Sequence, residues 1–158
     1  MEFEEGKPLV LLGDVRVVRK HIHQLSISMQ NGGRKILLVD TLNAINPHDK
    51  IYMHRFDLLR NIYCVRAENP YDLSARLGTA SSFIQKQQIR VLLINSINHV
   101  FADAHKHEIE PLFNIIWDKI KNLGERYDLQ IVLGLSSNLE EDRIPELLLG
   151  RNLKIVTV

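Results

Sequence analysis

Six short apolar runs, separated by longer stretches with helical spacing, constrain the fold of this chain more than any other feature. Most of the runs are continuously apolar rather than alternating, so strands formed by them should be buried on both faces. Such strands occur in parallel sheets that helices cover on each side. The sequence therefore predicts a single α/β domain over residues 1–158, with a mainly parallel sheet between two helical layers. The runs cover residues 8–13, 35–40, 61–67, 89–96, 129–137 and 153–158.

The stretches between the apolar runs carry helix start and stop signals. The first helix should begin directly after the first run and end at the pair Gly32–Gly33. Long helices are predicted over 69–88 and 108–127, and shorter ones over 46–59 and near "RIPELLL". In parallel sheets ligands bind beyond the carboxyl ends of the strands, so an active site is expected there.

Composition excludes several classes of protein. The chain is 45% hydrophobic and 25% charged with a net charge of +1, as is usual for a globular domain. No apolar run approaches the ~18–20 residues that span a membrane. The opening "MEFEEGKP" lacks the basic-then-apolar pattern of a secretory signal, and the single cysteine, Cys64, excludes an internal disulfide. We therefore expect a cytoplasmic protein without a membrane partner.

The segment "LVLLGDVRVVRK" raises the question of a phosphate loop. The pattern G-x-x-x-x-G-K-[ST], laid from Gly13, puts Val18 on the second glycine, and then Arg19 and Lys20 on the last two positions. Valine does not readily adopt the positive φ angles of such a loop. Asp14 is instead a good helix N-cap. The segment therefore predicts a helix that starts at once after the strand.

The order of these segments resembles the core of RecA-like ATPases, especially archaeal RadA-type recombinases, their paralogues and KaiC-like relatives. "KILLVDTLNAINPHDKI" is similar to the second-strand segment of that family, and "IRVLLINSINHVF" resembles its metal-site strand, Walker B. The resemblance covers roughly residues 8–138 and implies a RecA-like P-loop NTPase fold. It also implies partners, because RecA-like proteins assemble head to tail and silent recombinase paralogues act as accessory subunits in DNA repair.

The positions that this family uses for catalysis carry unsuitable residues. Gly13 is the one residue of the phosphate-loop pattern that is kept. Leu42 stands where RadA-type enzymes have a water-activating glutamate, and Asn95 replaces the aspartate that holds magnesium. The resemblance therefore implies a catalytically inactive accessory or scaffolding protein that partners a RecA/RadA-like protein or itself. No enzyme activity, cofactor or metal is expected.

Two other functions stay open on the residues alone. Arg19 and Lys20 could hold ATP at a non-standard phosphate site, together with backbone groups at the strand ends. Alternatively, a basic cluster could contact DNA or a partner, or could be only a solvated face. That cluster consists of Arg16, Arg19, Lys20, Arg34 and Lys35.

The other residues that could belong to a functional site are more simply explained by structural roles. Trp117 lies off the centre of the apolar stripe of its helix, which indicates either burial on two sides or a partner contact. The spacing of His21 and His23 points their rings to different sides of a helix, so no metal site is predicted. No serine lies in a G-x-S-x-G pattern, and Cys64 is expected to be a buried, inert thiol.

Overall fold

The computed structural model describes residues 7–43, 60–137, 139, 142–151 and 153–158. Its strands form one six-stranded sheet in the order β3-β2-β4-β5-β1-β6, and every neighbouring pair is parallel. The strands are β1 (Leu9–Gly13), β2 (Ile36–Asp40), β3 (Ile62–Arg66), β4 (Val91–Ile94), β5 (Gln130–Ser136) and β6 (Lys154–Thr157). The predicted α/β class and the parallel sheet are thus confirmed.

The helices fall within two residues of most of their predicted positions. They are α1 (Val15–Asn31), α2 (Pro70–Gln87), α3 (Lys106–Tyr127) and the short α4 (Ile144–Leu149), with a 3-10 turn at His99–Phe101. The end of α1 follows the predicted stop signal, because Gly33 has a φ of +82°, which glycine adopts without a steric penalty. The predicted helix over 46–59 lies outside the described residues.

Helices cover both faces of the sheet. Val18 and Ile22 of α1 pack with Leu11 of β1 in one fully buried cluster. On the opposite face, α2, α3 and α4 contribute side chains such as Leu77 and Phe113 to a second, larger cluster. The three-layer arrangement predicted from the continuous apolar runs is therefore confirmed. Within the described ranges, no helix has the length and apolar character needed to cross a bilayer.

The order of the strands defines where the chain changes direction. After β2 the chain moves outward to β3, whereas after β4 it moves the other way to β5, although β2 and β4 are neighbours. Connections that diverge from adjacent strands leave a crevice at their carboxyl ends, and α/β proteins bind ligands there. We call the side of the sheet formed by the carboxyl ends of the strands the carboxyl edge, and the opposite side the amino edge.

Candidate functional site

The junction between β1 and α1 contains no loop. The strand ends at Gly13, the helix starts at Val15, and Asp14 between them accepts a hydrogen bond from the backbone N–H of Arg16 at 2.8 Å. This is the N-cap that the sequence predicts, and its carboxylate uses a backbone donor that a phosphate would otherwise take. The junction is therefore a capped helix start.

Gly13 is needed for packing rather than for a phosphate. A Cβ atom on Gly13 would lie 2.7 Å from the backbone oxygen of Val158, next to the outer strand β6. Two backbone hydrogen bonds connect the end of β1 to the residues that follow β5 and β6. Ser137 N–H donates to the Gly13 oxygen, and Val158 N–H donates to the Leu12 oxygen. The space beside the one retained glycine is thus filled by the protein's own backbone.

The crevice between β2 and β4 is filled by two buried side chains that bind each other. Asn95, which follows β4, donates its Nδ2 to the Oδ1 of Asp40 at 2.8 Å. The Oδ1 of Asn95 accepts from both the backbone N–H and the hydroxyl of Thr41, each at 2.8 Å. Asp40 and Asn95 are 1% and 0% exposed. Asn95 therefore uses both halves of its amide, whereas an ionised aspartate at this position could only accept.

The polar contacts continue from this pair toward β5. Ser96 Oγ lies 2.8 Å from Ser136 Oγ and donates to Asn98 Oδ1 at 3.0 Å. Asn98 in turn donates to the Ser136 backbone oxygen at 2.7 Å and to a carboxylate oxygen of Asp142. We call the six buried members of these contacts the carboxyl-edge network. They are Asp40, Thr41, Asn95, Ser96, Asn98 and Ser136.

Leu42 lies directly beside this network. It follows Thr41, and its backbone N–H donates to Asp40 Oδ1 at 3.1 Å. Its half-buried side chain is aliphatic and cannot move a proton. Gly13, Leu42 and Asn95 therefore all lie on the carboxyl edge, although β5 separates the first from the other two.

One cleft at the carboxyl edge has an acidic lining. Its volume is about 350 Å³, and it lies between the start of α2, the 3-10 turn and the start of α3. Glu68, Asp103 and Glu108 line it, and no lysine or arginine does. The pKa of the Tyr71 hydroxyl in this cleft is raised, and the largest cause is the negative charge of the neighbouring Glu108. Such a lining repels phosphate groups.

The basic cluster of the sequence is divided in the structure. Arg16, Arg19 and Lys20 are exposed on the first two turns of α1, at the carboxyl edge. Arg34 and Lys35 follow the end of the same helix and precede β2, at the amino edge. A helix rises 1.5 Å per residue, and 11 to 15 residues of α1 follow the cations of the first group, so the two groups lie roughly 20 Å apart. One continuous patch of all five is therefore a wrong interpretation.

Trp117 lies in the core. It is 6% exposed and stacks on Phe113, with ring centroids 6.1 Å apart. The guanidinium of Arg151 lies 5.2 Å from the centre of the Trp117 ring and 5.3 Å from that of Phe113. Of the two interpretations, burial on two sides describes this residue, and the ring presents too little surface for a partner contact.

In the described part of the chain, neither the histidines nor Cys64 belong to a cluster that could act as a metal site or a reactive centre. Among the described residues, no group of three His, Cys, Asp or Glu side chains is close enough to hold a metal ion. Cys64 lies exposed on the outer strand β3, so the expectation that it is buried is wrong. Its thiol pKa is nevertheless raised to about 11, chiefly by desolvation and then by the charge of Asp40. The thiolate is thus scarce near neutral pH.

The strand ends at which an active site is predicted include five residues of the carboxyl-edge network, namely Asp40, Thr41, Asn95, Ser96 and Ser136. The hydrogen bonds between them and the part taken by Asn98 were not predicted. The available signal was that polar residues directly follow the neighbouring apolar runs, because parallel strands bring such residues together. Compared with models of known protein families and with curated proteins, the chain matches none.

Proposed function

We propose that this chain is a RecA-like domain without conventional ATPase chemistry, which acts by association as an accessory or scaffolding protein in the cytoplasm. The expected partner is a recombinase-type ATPase or a second copy of the chain, in DNA repair or recombination. The resemblance of the segments supplies the family and the partner. The three-layer parallel sheet is consistent with that family but common to many others.

One observation carries the non-catalytic part of this proposal: the mutual hydrogen bond of Asp40 and Asn95 in the crevice between β2 and β4. A magnesium ion needs oxygen ligands with open lone pairs and room for its waters. The Asn95 oxygen already accepts two hydrogen bonds, and both side chains are buried. A metal could enter only by breaking a satisfied buried network, which is costly.

The first strand–helix junction gives independent support. Phosphoryl transfer depends on backbone donors that cradle phosphates and on a lysine that reaches them. Here the helix starts without a loop, and Arg19 and Lys20 lie on its exposed surface. The alternative of ATP held by these two residues would leave the nucleotide in solvent, so we do not favour it.

Association is tested by sedimentation velocity of the purified protein over a range of concentrations, together with co-purification from the native host. We expect either concentration-dependent self-association or capture of a recombinase-type ATPase. A monomer at every concentration that captures no such ATPase would contradict the associative role. Steady-state ATP turnover is measured on the same samples, and hydrolysis that depends on added magnesium would contradict the non-catalytic role.

A further inference from the structure

The amino edge of the sheet carries a cation at the start of almost every strand. Within the described ranges, one acidic residue, Asp128 before β5, lies within two positions of a strand start. At the strand ends that the structure describes, the cation within two positions is Arg66 of β3. The cations at the strand starts are Lys7 before β1, Arg34 and Lys35 before β2, Arg60 before β3, Arg90 before β4, and Lys154 in β6.

Four of these cations are brought together by backbone pairing at the adjacent strands β3, β2 and β4. The backbone oxygen of Lys35 accepts from the N–H of Arg90 at 3.0 Å. On the other side, Asn61, which follows Arg60, accepts from Ile36 N–H at 2.7 Å. We call Arg34, Lys35, Arg60 and Arg90 the basic row. Its three arginines are exposed and Lys35 is half-buried.

The two arginines with described side-chain contacts bind neutral groups. Arg34 donates from Nη1 to the amide oxygen of Gln130 at 2.5 Å, across the start of β4. Arg90 donates from Nη1 to the backbone oxygen of Tyr127 at 3.4 Å. Neither guanidinium forms an ion pair with a carboxylate in the part of the chain that the structure describes. Their positive charge is therefore held in place but not neutralised, which favours an external anion.

The spacing of the cations in the basic row is compatible with the spacing of phosphates along a nucleic-acid strand. Neighbouring strands lie ~4.8 Å apart, so the row from β3 to β4 extends about 10 Å. Along one strand of duplex DNA, phosphates follow at about 3.4 Å of axial rise, so the row faces roughly three of them. Arginine guanidinium groups are well suited to phosphate oxygens because they donate in pairs.

Among the described residues, this edge does not present the exposed aromatic rings that bind single strands. Proteins that hold single-stranded nucleic acid stack the bases on exposed aromatic rings. The aromatic residues described near the amino edge, Tyr63 and Tyr127, are half-buried, and the Tyr63 ring packs edge-on against Phe83. We propose that the basic row is a docking surface for the backbone of double-stranded nucleic acid, without sequence readout. This goes beyond the proposed function and can hold whether or not a recombinase-type partner exists.

The test measures the affinity of the full chain for a labelled 20-base-pair DNA duplex between 50 and 200 mM salt. Contacts to three phosphates predict a slope of log K on log salt of about −2.7, which is an affinity loss of about 40-fold over that range. The variant Arg34→Ala/Arg90→Ala leaves two cations in the row, so its loss should fall to about ten-fold. The charge-retaining variant Arg34→Lys/Arg90→Lys should keep the original slope.

The matched control is Arg16→Ala/Arg19→Ala, which removes two exposed arginines from the other end of α1. It should leave the slope at the original value. An unchanged slope in Arg34→Ala/Arg90→Ala, or an equal reduction in the control, would overturn the proposal. Tighter binding of a single strand of the same length would also overturn it. So would binding to phosphatidylserine vesicles with no binding to the duplex.

Asp128 provides a variant expected to strengthen binding. It ends α3 in the left-handed conformation, with a φ of 51°, which asparagine tolerates as well as aspartate. Asp128→Asn removes an acidic charge at the amino edge without altering that conformation. Duplex affinity at low salt should rise several-fold, and a fall in affinity would contradict the electrostatic basis of the proposal.

Discussion

The two edges of one parallel sheet use polar residues in opposite ways. At the carboxyl edge, Asp40 and Asn95 are buried and bind each other, so their polar atoms serve the fold. At the amino edge, Arg34 and Arg90 are exposed and bind neutral acceptors, so their charges stay available. Ligands of parallel sheets usually bind at the carboxyl edge. The comparison suggests that in this protein the polar residues at that edge stabilise the fold, and that partners bind at the amino edge.

If this comparison is right, substitutions at the carboxyl edge should reduce stability, and those at the amino edge should not. The largest effect is expected at Gly134, in the middle of β5 beneath the carboxyl-edge network. A Cβ there would lie 2.0 Å from the Asn95 backbone oxygen and 2.7 Å from Val18 Cγ1. Gly134→Ala should cost about 3 kcal/mol or more in urea unfolding, because neither neighbour can move freely.

The control for this substitution is Gly78→Ala on the exposed surface of α2. A Cβ at Gly78 would lie 3.2 Å from the end of the flexible Lys119 side chain. Alanine in a helix is favoured over glycine by about 0.5–1 kcal/mol, so this variant should be slightly more stable than the parent. Equal effects at both glycines would show that the carboxyl edge is not tightly packed.

The second effect concerns Asn95→Asp, which replaces the buried amide with a carboxylate. It places two carboxylates in contact and removes the donor to Asp40, with an expected loss of about 2–3 kcal/mol at pH 7. Repulsion raises the pKa of one carboxyl in the folded variant above its unfolded value of about 4. The deficit against the parent should therefore be small below that value and grow as pH rises toward 7.

A reciprocal exchange separates charge repulsion from loss of packing. Asp40→Asn/Asn95→Asp places the donor on β2 and the acceptor after β4, so one hydrogen bond is restored. We expect the double variant to recover at least half of the loss in urea unfolding near neutral pH. No recovery would indicate that the pair is not the centre of the network.

A smaller effect is expected at the junction of β1 and α1. Asp14→Ala removes the acceptor for Arg16 N–H and should cost about 1 kcal/mol. Asp14→Asn keeps a good cap and should lie within about 0.5 kcal/mol of the parent. Equal losses in thermal unfolding would mean that the charge of Asp14 matters more than its hydrogen bond.

The smallest effect is expected at the amino edge. Arg34→Ala/Arg90→Ala removes two exposed side chains that contact neutral acceptors, and its unfolding free energy should stay within about 0.5 kcal/mol of the parent. Urea unfolding of this variant beside Asn95→Asp tests the comparison directly. A loss at the amino edge as large as that at Asn95 would mean that both edges serve stability.

Local sequence signals predicted the elements but not the way they meet. Asp14, Gly33 and the continuous apolar runs act over a few residues, and they placed the start of α1, its end and the strands correctly. The division of the basic cluster was missed, because it depends on α1 carrying Arg16 and Arg34 to opposite edges. The network around Asn98 and Ser136 depends on strand order, which joins residues 38 positions apart. The RecA-like assignment stays a prediction.

The most direct test of the account is a calorimetric titration of magnesium ATP into the parent protein. With the crevice filled by Asp40 and Asn95 and the phosphate loop absent, we predict no saturable heat up to about 1 mM nucleotide, which corresponds to binding weaker than about −4 kcal/mol. Saturable binding that is lost in Arg19→Ala/Lys20→Ala would contradict the account and restore a nucleotide site at the carboxyl edge.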